Sequence, residues 1–208
     1  MKNFFQSITH SIIIIVTALY FAITGLLNFY PNFHTVLPNK IYRSAQLNTA
    51  QFKYYIHKYH IKSILNLRGQ ASTRRWYQNE INTVQSTQVR HYDFGLAPKG
   101  SISIKNMQTL AHIIRNAPKP LLIHCWHGAD RTGLGSAVAL LLLTQEPLAK
   151  IKRQVSWRYG VVSPNSVGVV ELSYYQHWLQ QHELTSSAKS FLHWLEQLQR
   201  NQNYLHRT

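Results

Sequence analysis

Alternating strand-like and helix-like patterns predict an α/β fold with a central, mainly parallel sheet flanked by helices, preceded by an N-terminal membrane helix. Three observations lead there. Short strand-like runs recur between longer stretches of helical period. One such run, 120–123, passes through a glycine-containing turn into the apolar stretch 134–143, the strand–turn–helix order of a parallel sheet. Ahead of both, the 20 residues from Ser11 to Tyr30 contain no charge.

That first stretch is long enough to cross a hydrocarbon core of about 30 Å. It runs into Asn28-Phe29-Tyr30-Pro31-Asn32-Phe33, an aromatic cluster suited to a membrane interface, and no small-residue cleavage site follows it. Residues 1–32 are therefore expected to be an uncleaved, single-pass transmembrane anchor, with a signal peptide as the rival reading, and residues 33–208 the folded domain. Lys2 is the only charge before the run, a leader that suits a domain held outside the cytoplasm.

Within the domain, strands are expected at 41–43 and 62–67, with a helix over 48–59 between them. A helix over 72–86 and a strand over 87–94 follow. Ile102–Asn116 has Met107, Leu110, Ile113 and Ile114 on one helical face. After the strand at 120–123 and the helix at 134–143, Pro147–Trp157 and Val167–Gln181 read as two covering helices. Phe191, Trp194, Leu195 and Leu198 mark the buried face of a last one.

Lys and Arg number 22 against 7 Asp and Glu, a formal net charge of +15. Such a surface steers anions toward the protein and favours an anionic membrane. Nucleic acid would suit the charge equally well, but no nucleic-acid-binding motif accompanies it, so it is not an expected partner. A single cysteine excludes a disulfide within the chain, and nothing in the sequence fixes an oligomeric state.

That cysteine, Cys125, lies in His124-Cys125-Trp126-His127-Gly128-Ala129-Asp130-Arg131-Thr132-Gly133. The spacing describes a nucleophile inside an anion trap. Residues 126–131 form the strand-to-helix turn, and Gly128 and Gly133 let it curl so that successive N–H groups point inward. The following helix adds its partial positive charge, and the same field favours the thiolate of Cys125. Trp126, His127, Gly128, Ala129, Asp130 and Arg131 would surround a phosphate, with the planar guanidinium of Arg131 gripping two oxygens. Thr132 could donate its hydroxyl to the departing sulfur. His124 is expected behind the turn, hydrogen-bonding backbone and holding Cys125 in place, and Trp126 is expected to pack rather than react.

The segment matches His-Cys-five residues-Arg-Ser/Thr-Gly and resembles the cysteine-dependent protein tyrosine and dual-specificity phosphatase superfamily. Ile41-Tyr42-Arg43-Ser44-Ala45-Gln46 and Ile61-Lys62-Ser63-Ile64-Leu65-Asn66-Leu67-Arg68 extend the likeness to small bacterial dual-specificity-like phosphatases. The resemblance implies hydrolysis of phosphomonoesters through a phosphocysteine, with neither metal nor other cofactor. Its substrates would be phosphotyrosine, phosphoserine or phosphothreonine proteins, or phosphoinositides. A phosphate-binding module without activity is the alternative from another class. Sulfur transfer leaves Thr132-Gly133 unexplained.

Two residues compete to protonate the leaving group, because Asp93 and Asp130 are the only aspartates. In the dual-specificity family a mobile loop at about the separation of Asp93 from Cys125 supplies the acid. The Gly-x-Asp-Arg form of the loop instead resembles phosphatases that act on phosphoinositides, where the loop aspartate takes that role. Repulsion from the bound phosphate would raise the pKa of Asp130, as a proton donor requires. Against these stand plainer roles: Asp93 capping a turn, and Asp130 bracing Arg131.

Overall fold

The computed structural model describes residues 12–19 and 31–205. Residues 12–19 are helical and exposed, whereas the rest of the uncharged run, and with it most of the expected anchor, lies outside the described residues. No helix among the described residues is long and apolar enough to cross a membrane. The second compact unit begins at Pro31.

Among the described residues five strands form one sheet: β1 (His34–Leu37), β2 (Ile41–Ser44), β3 (Ser63–Asn66), β4 (Arg90–Asp93) and β5 (Leu121–His124). Their order is β1-β2-β5-β3-β4. β1 pairs antiparallel with β2, and every other pair is parallel, as the alternating pattern predicts. β1 is not foreseen in the sequence. It is a short, half-exposed edge strand whose register is broken by a bulge between Thr35 and Leu37, which leaves no sustained alternation to mark it. The last strand in sequence, β5, is the middle strand of the sheet, so the loop that leaves its carboxyl end is held from both sides.

Side chains alternate strictly across the sheet. Ile41, Leu65, Leu121 and Ile123 face one core, shared with α3 (Ile104–Asn116), α4 (Asp130–Leu143), α6 (Val167–Gln181) and α7 (Ala188–Leu205). Tyr42, Ile64 and Leu122 face the other, covered by α1 (Thr49–Tyr59) and α2 (Arg75–Thr87). α1 starts where Asn48 and Gln51 cap each other, the Asn48 side chain accepting from the Gln51 N–H at 2.9 Å and the Gln51 side chain from the Asn48 N–H at 3.0 Å. It ends at His60 in the left-handed region, φ 50°.

Two expectations need correction. α4 begins at Asp130 rather than Leu134, so Arg131, Thr132 and Gly133 belong to its first turn and the true loop is only Cys125–Ala129. The helix expected over Pro147–Trp157 is instead a single turn, α5 (Leu148–Ile151), followed by two 3₁₀ turns, Lys152–Val155 and Trp157–Tyr159. The Gln154 carbonyl is the physical reason: it accepts from the buried guanidinium of Arg43.

Candidate active site

β5 delivers Cys125 to the carboxyl edge of the sheet, where it is free and buried. The loop after it is held from outside by its carbonyls. Trp126 O accepts from Gln46 N at 3.0 Å. His127 O accepts from Asn32 Nδ2 at 2.9 Å, and Gly128 O from Arg43 Nη2 at 2.7 Å. In a trans peptide the N–H points opposite to its C=O. Three successive carbonyls turned outward therefore turn the N–H groups of residues 127–129 inward. None of these three donates to a backbone carbonyl among the described residues. The result is a concave nest of donors that continues into the N-terminus of α4.

Glycine is required at position 128 for two reasons. Its φ is +70°, and a Cβ there would lie 2.6 Å from the backbone nitrogen of Ala45. Gly133 plays a different part from the one expected. It is helical rather than left-handed, and its missing side chain lets α4 approach the Gln154 carbonyl, which a Cβ would meet at 2.9 Å.

A cleft of about 560 Å³ opens over Cys125, lined by Trp126, His127 and Ala129 from the loop, by Asp130 and Arg131 from the first turn of α4, and by Arg68, Arg74 and Lys99 from elsewhere. Among the described residues Arg131 makes only 3.5 Å contacts, to the carbonyls of Leu67 and Leu96, and its buried Nε has no partner. The Thr132 hydroxyl is fully buried and also lacks a partner among the described residues. Burial, then the charge of Arg131, lowers the pKa of His127.

Asp130 lies in the cleft; Asp93 does not line it. Asp93 ends β4 on the face covered by α2, where it accepts from Tyr77 Oη and, at 2.8 Å, from Asn66 Nδ2. Desolvation, reinforced by that bond to Asp93, raises the Tyr77 pKa to about 12. His124 also departs from expectation: its Nε2 meets the Glu80 carboxylate at 2.9 Å instead of backbone. Being on β5, it shares the α2-facing side with Asn66, and the nearest buried acceptor there is Glu80. Trp126 is half exposed and stacks its ring 4.2 Å from the Arg68 guanidinium, whose other face meets Trp76 at 3.3 Å.

Four participants carry no role in the sequence reading. Arg43 is fully buried, donates to Gly128 O and to both oxygens of Gln154, and lies 3.8 Å over the Tyr159 ring. Burial lowers its pKa to about 10, which leaves it charged at neutral pH. Arg68, lowered to about 10 by burial and then by Arg131, reaches the cleft. Asn32 and Glu80 complete the set. A charge directly after Ile41-Tyr42 in an expected strand was the available signal for Arg43; nothing comparable marked Asn32.

The profile of the tyrosine phosphatase family matches residues 27–151, from the first strand through the nucleophile loop and α4. The chain belongs to the tyrosine phosphatase family. This phosphatase shares its fold with the catalytic core of Siw14, a PP-IP phosphatase of Saccharomyces cerevisiae solved with citrate. The TM-score is 0.56 at 23% identity, over 73% of this chain and 93% of that one. TpbA of Pseudomonas aeruginosa follows at 0.50 and 19%, over 68% and 81%. A putative phosphatase of Shewanella putrefaciens gives 0.54 and 15%, over 72% and 96%. No curated protein sequence matches this phosphatase.

Proposed function

We propose that the protein hydrolyses phosphomonoesters through a phosphocysteine on Cys125. The observation that supports this best is the outward tethering of the Trp126, His127 and Gly128 carbonyls, which leaves inward N–H donors around the sulfur. Those donors and Arg131 hold the three non-bridging oxygens and stabilise their charge as the phosphoryl group transfers. The Cys125 thiolate attacks phosphorus in line with the ester oxygen. The S–P bond forms as the P–O bond breaks, and the leaving oxygen takes its proton from Asp130. Water then gives a proton back to the Asp130 carboxylate as it attacks the phosphocysteine; the O–P bond forms as the S–P bond breaks, phosphate is released, and the Thr132 hydroxyl donates to the departing sulfur. Asp130 is preferred to Asp93 as the acid because it lines the cleft, while both Asp93 oxygens are engaged elsewhere.

For the substrate, Arg68, Arg74 and Lys99 supply more positive charge than one phosphate needs, with Asp130 the only carboxylate among the lining residues. That balance favours a phosphate carried by a polyanion, such as a phosphoinositide, over an isolated phosphotyrosine. Solved neighbours span both chemistries: Siw14 is described as a PP-IP phosphatase, and a variant of TpbA was solved in complex with pTyr. The uncharged run before Pro31 is proposed to tether the domain to a membrane, outside the cytoplasm; alkaline carbonate extraction and a C-terminal reporter fusion would test that.

The deciding experiment is hydrolysis of a small aryl phosphate by the full chain. Activity should survive chelators and vanish in Cys125→Ser, and rapid quenching of the native enzyme in denaturant should trap a phosphoprotein labelled on Cys125. Tungstate binding without turnover would mean a phosphate-binding module and overturn the enzyme reading.

A further inference from the structure

Behind the nucleophile lies a buried polar network that the mechanism above does not use. Its centre is Glu80 on α2, a carboxylate only 1% exposed. One oxygen, Oε1, meets His124 Nε2 at 2.9 Å and His91 Nε2 at 2.8 Å. The other, Oε2, accepts from Gln46 Nε2 at 2.8 Å. Gln46 in turn accepts through Oε1 from Arg68 Nη1 at 2.7 Å, and Arg68 lines the cleft between two indoles. One carboxylate thus touches the residue preceding the nucleophile and, through a single amide, a guanidinium at the substrate mouth.

The chemistry of each link is directional. An ionised carboxylate only accepts, so both histidines must carry a hydrogen on Nε2. The Nδ1 of His124 is buried and has no partner among the described residues. Gln46 has one permitted orientation, because reversing its amide would set NH₂ against the Arg68 guanidinium and oxygen against the Glu80 carboxylate. Burial alone would push the Glu80 carboxyl up. The charge of His124 and the hydrogen bonds from His124, His91 and Gln46 outweigh it and hold the group well below the ordinary carboxylate range.

We infer that Glu80 is a positioning residue for both ends of the active site: it fixes the His124 ring behind Cys125 and, through Gln46, aims Arg68 into the cleft. It touches no substrate. Its action on turnover rests on the phosphatase reading, whereas its action on His124 and on the thiol does not.

The test uses an isostere and its complement. In Glu80→Gln the new amide must present NH₂ to Gln46 or to the histidines, and either choice opposes donor to donor. Adding Gln46→Glu in the same chain restores an acceptor: the new amide at position 80 donates to the new carboxylate at position 46, which also accepts from Arg68. Glu80→Gln should lower kcat/KM for an aryl phosphate by about ten- to a hundredfold, the scale on which loss of an orienting partner acts. It should also shift the pH profile of Cys125 alkylation by iodoacetamide, a readout independent of turnover. The double variant should regain KM, through Arg68, while the alkylation profile stays shifted, because the charge beside His124 has moved. Imidazole nitrogen NMR of the native protein should find Nε2 protonated on both His91 and His124. A purely structural Glu80 would lower the melting temperature of Glu80→Gln and leave the alkylation profile on that of the native protein, overturning the proposal. An Nδ1–H tautomer of His124 would overturn it as well, and that measurement decides alone if Glu80→Gln does not fold.

Discussion

The two faces of the sheet do different work. Toward α3, α4, α6 and α7 the sheet is apolar, with Leu65, Leu121 and Ile123 fully buried, and this face fixes where α4 begins and hence where Asp130, Arg131 and Thr132 stand. Toward α1 and α2 the strands carry His124, Asn66, His91 and Asp93, joined around Glu80 and Tyr77. Packing sets position on the first face, and hydrogen bonds set orientation and charge on the second. A close-packed interior tolerates little displacement, whereas a satisfied buried polar network tolerates little change of protonation.

The largest expected effect that could break this division comes from the two aspartates. Asp130→Asn should cut kcat near neutral pH by about 10²- to 10⁴-fold and flatten the acid-dependent limb of the pH–rate profile. Asp93→Asn should change kcat by less than about threefold, because a residue outside the reacting atoms leaves the transition-state contacts in place. The reverse result would move the acid to the α2 face. Next comes Arg43, the charged exception on the apolar face. Arg43→Met leaves Gly128 O and Gln154 without their donor, at a stability cost of about 1–3 kcal/mol by denaturant titration. Its kcat/KM per folded molecule should fall further than that loss explains, since the loop carbonyl is released. Leu65→Ala sharpens the contrast from the other direction. It should cost about 2–5 kcal/mol of stability and leave kcat/KM of the folded fraction nearly unchanged.

The smallest effect is the pH dependence of stability. Glu80 has a folded pKa below its ordinary 4.5, so its contribution is fully present above that value and is lost as pH falls toward the folded pKa. Denaturant titrations at about pH 6 and about pH 4 should show the native protein losing more stability than Glu80→Gln over that interval.

Much of this arrangement was legible in the residues. The His124–Gly133 segment announced the nest, the nucleophile and the guanidinium, because short-range spacing determines a strand–loop–helix turn. The alternation along β4 also bears on the choice of acid. His91 and Asp93 are two apart and must share a face, and that face belongs to α2, which removes Asp93 from the cleft lining. What short-range spacing could not contain are the long contacts: Glu80 to His124 across 44 residues, Arg43 to Gly128 across 85, Asn32 to His127 across 95. Those partners are chosen by the three-dimensional meeting of α2, β2 and the first residues of the domain with one loop, and no local pattern specifies them. The same holds for the Lys152–Val155 turn, whose helical composition yields to the demand of Arg43 for the Gln154 carbonyl.

Asn32 sets a practical limit on shortening the chain. Its side-chain amide donates to His127 O and, at 3.1 Å, to Tyr159 O, while its oxygen meets His34 Nε2 at 3.0 Å. Truncation to Phe33 would spare every strand, every helix from α1 onward and the whole nucleophile segment, and would look harmless by composition. It would nevertheless release the middle one of the three carbonyls that shape the nest, so such a fragment should keep its circular dichroism and lose its grip on phosphate.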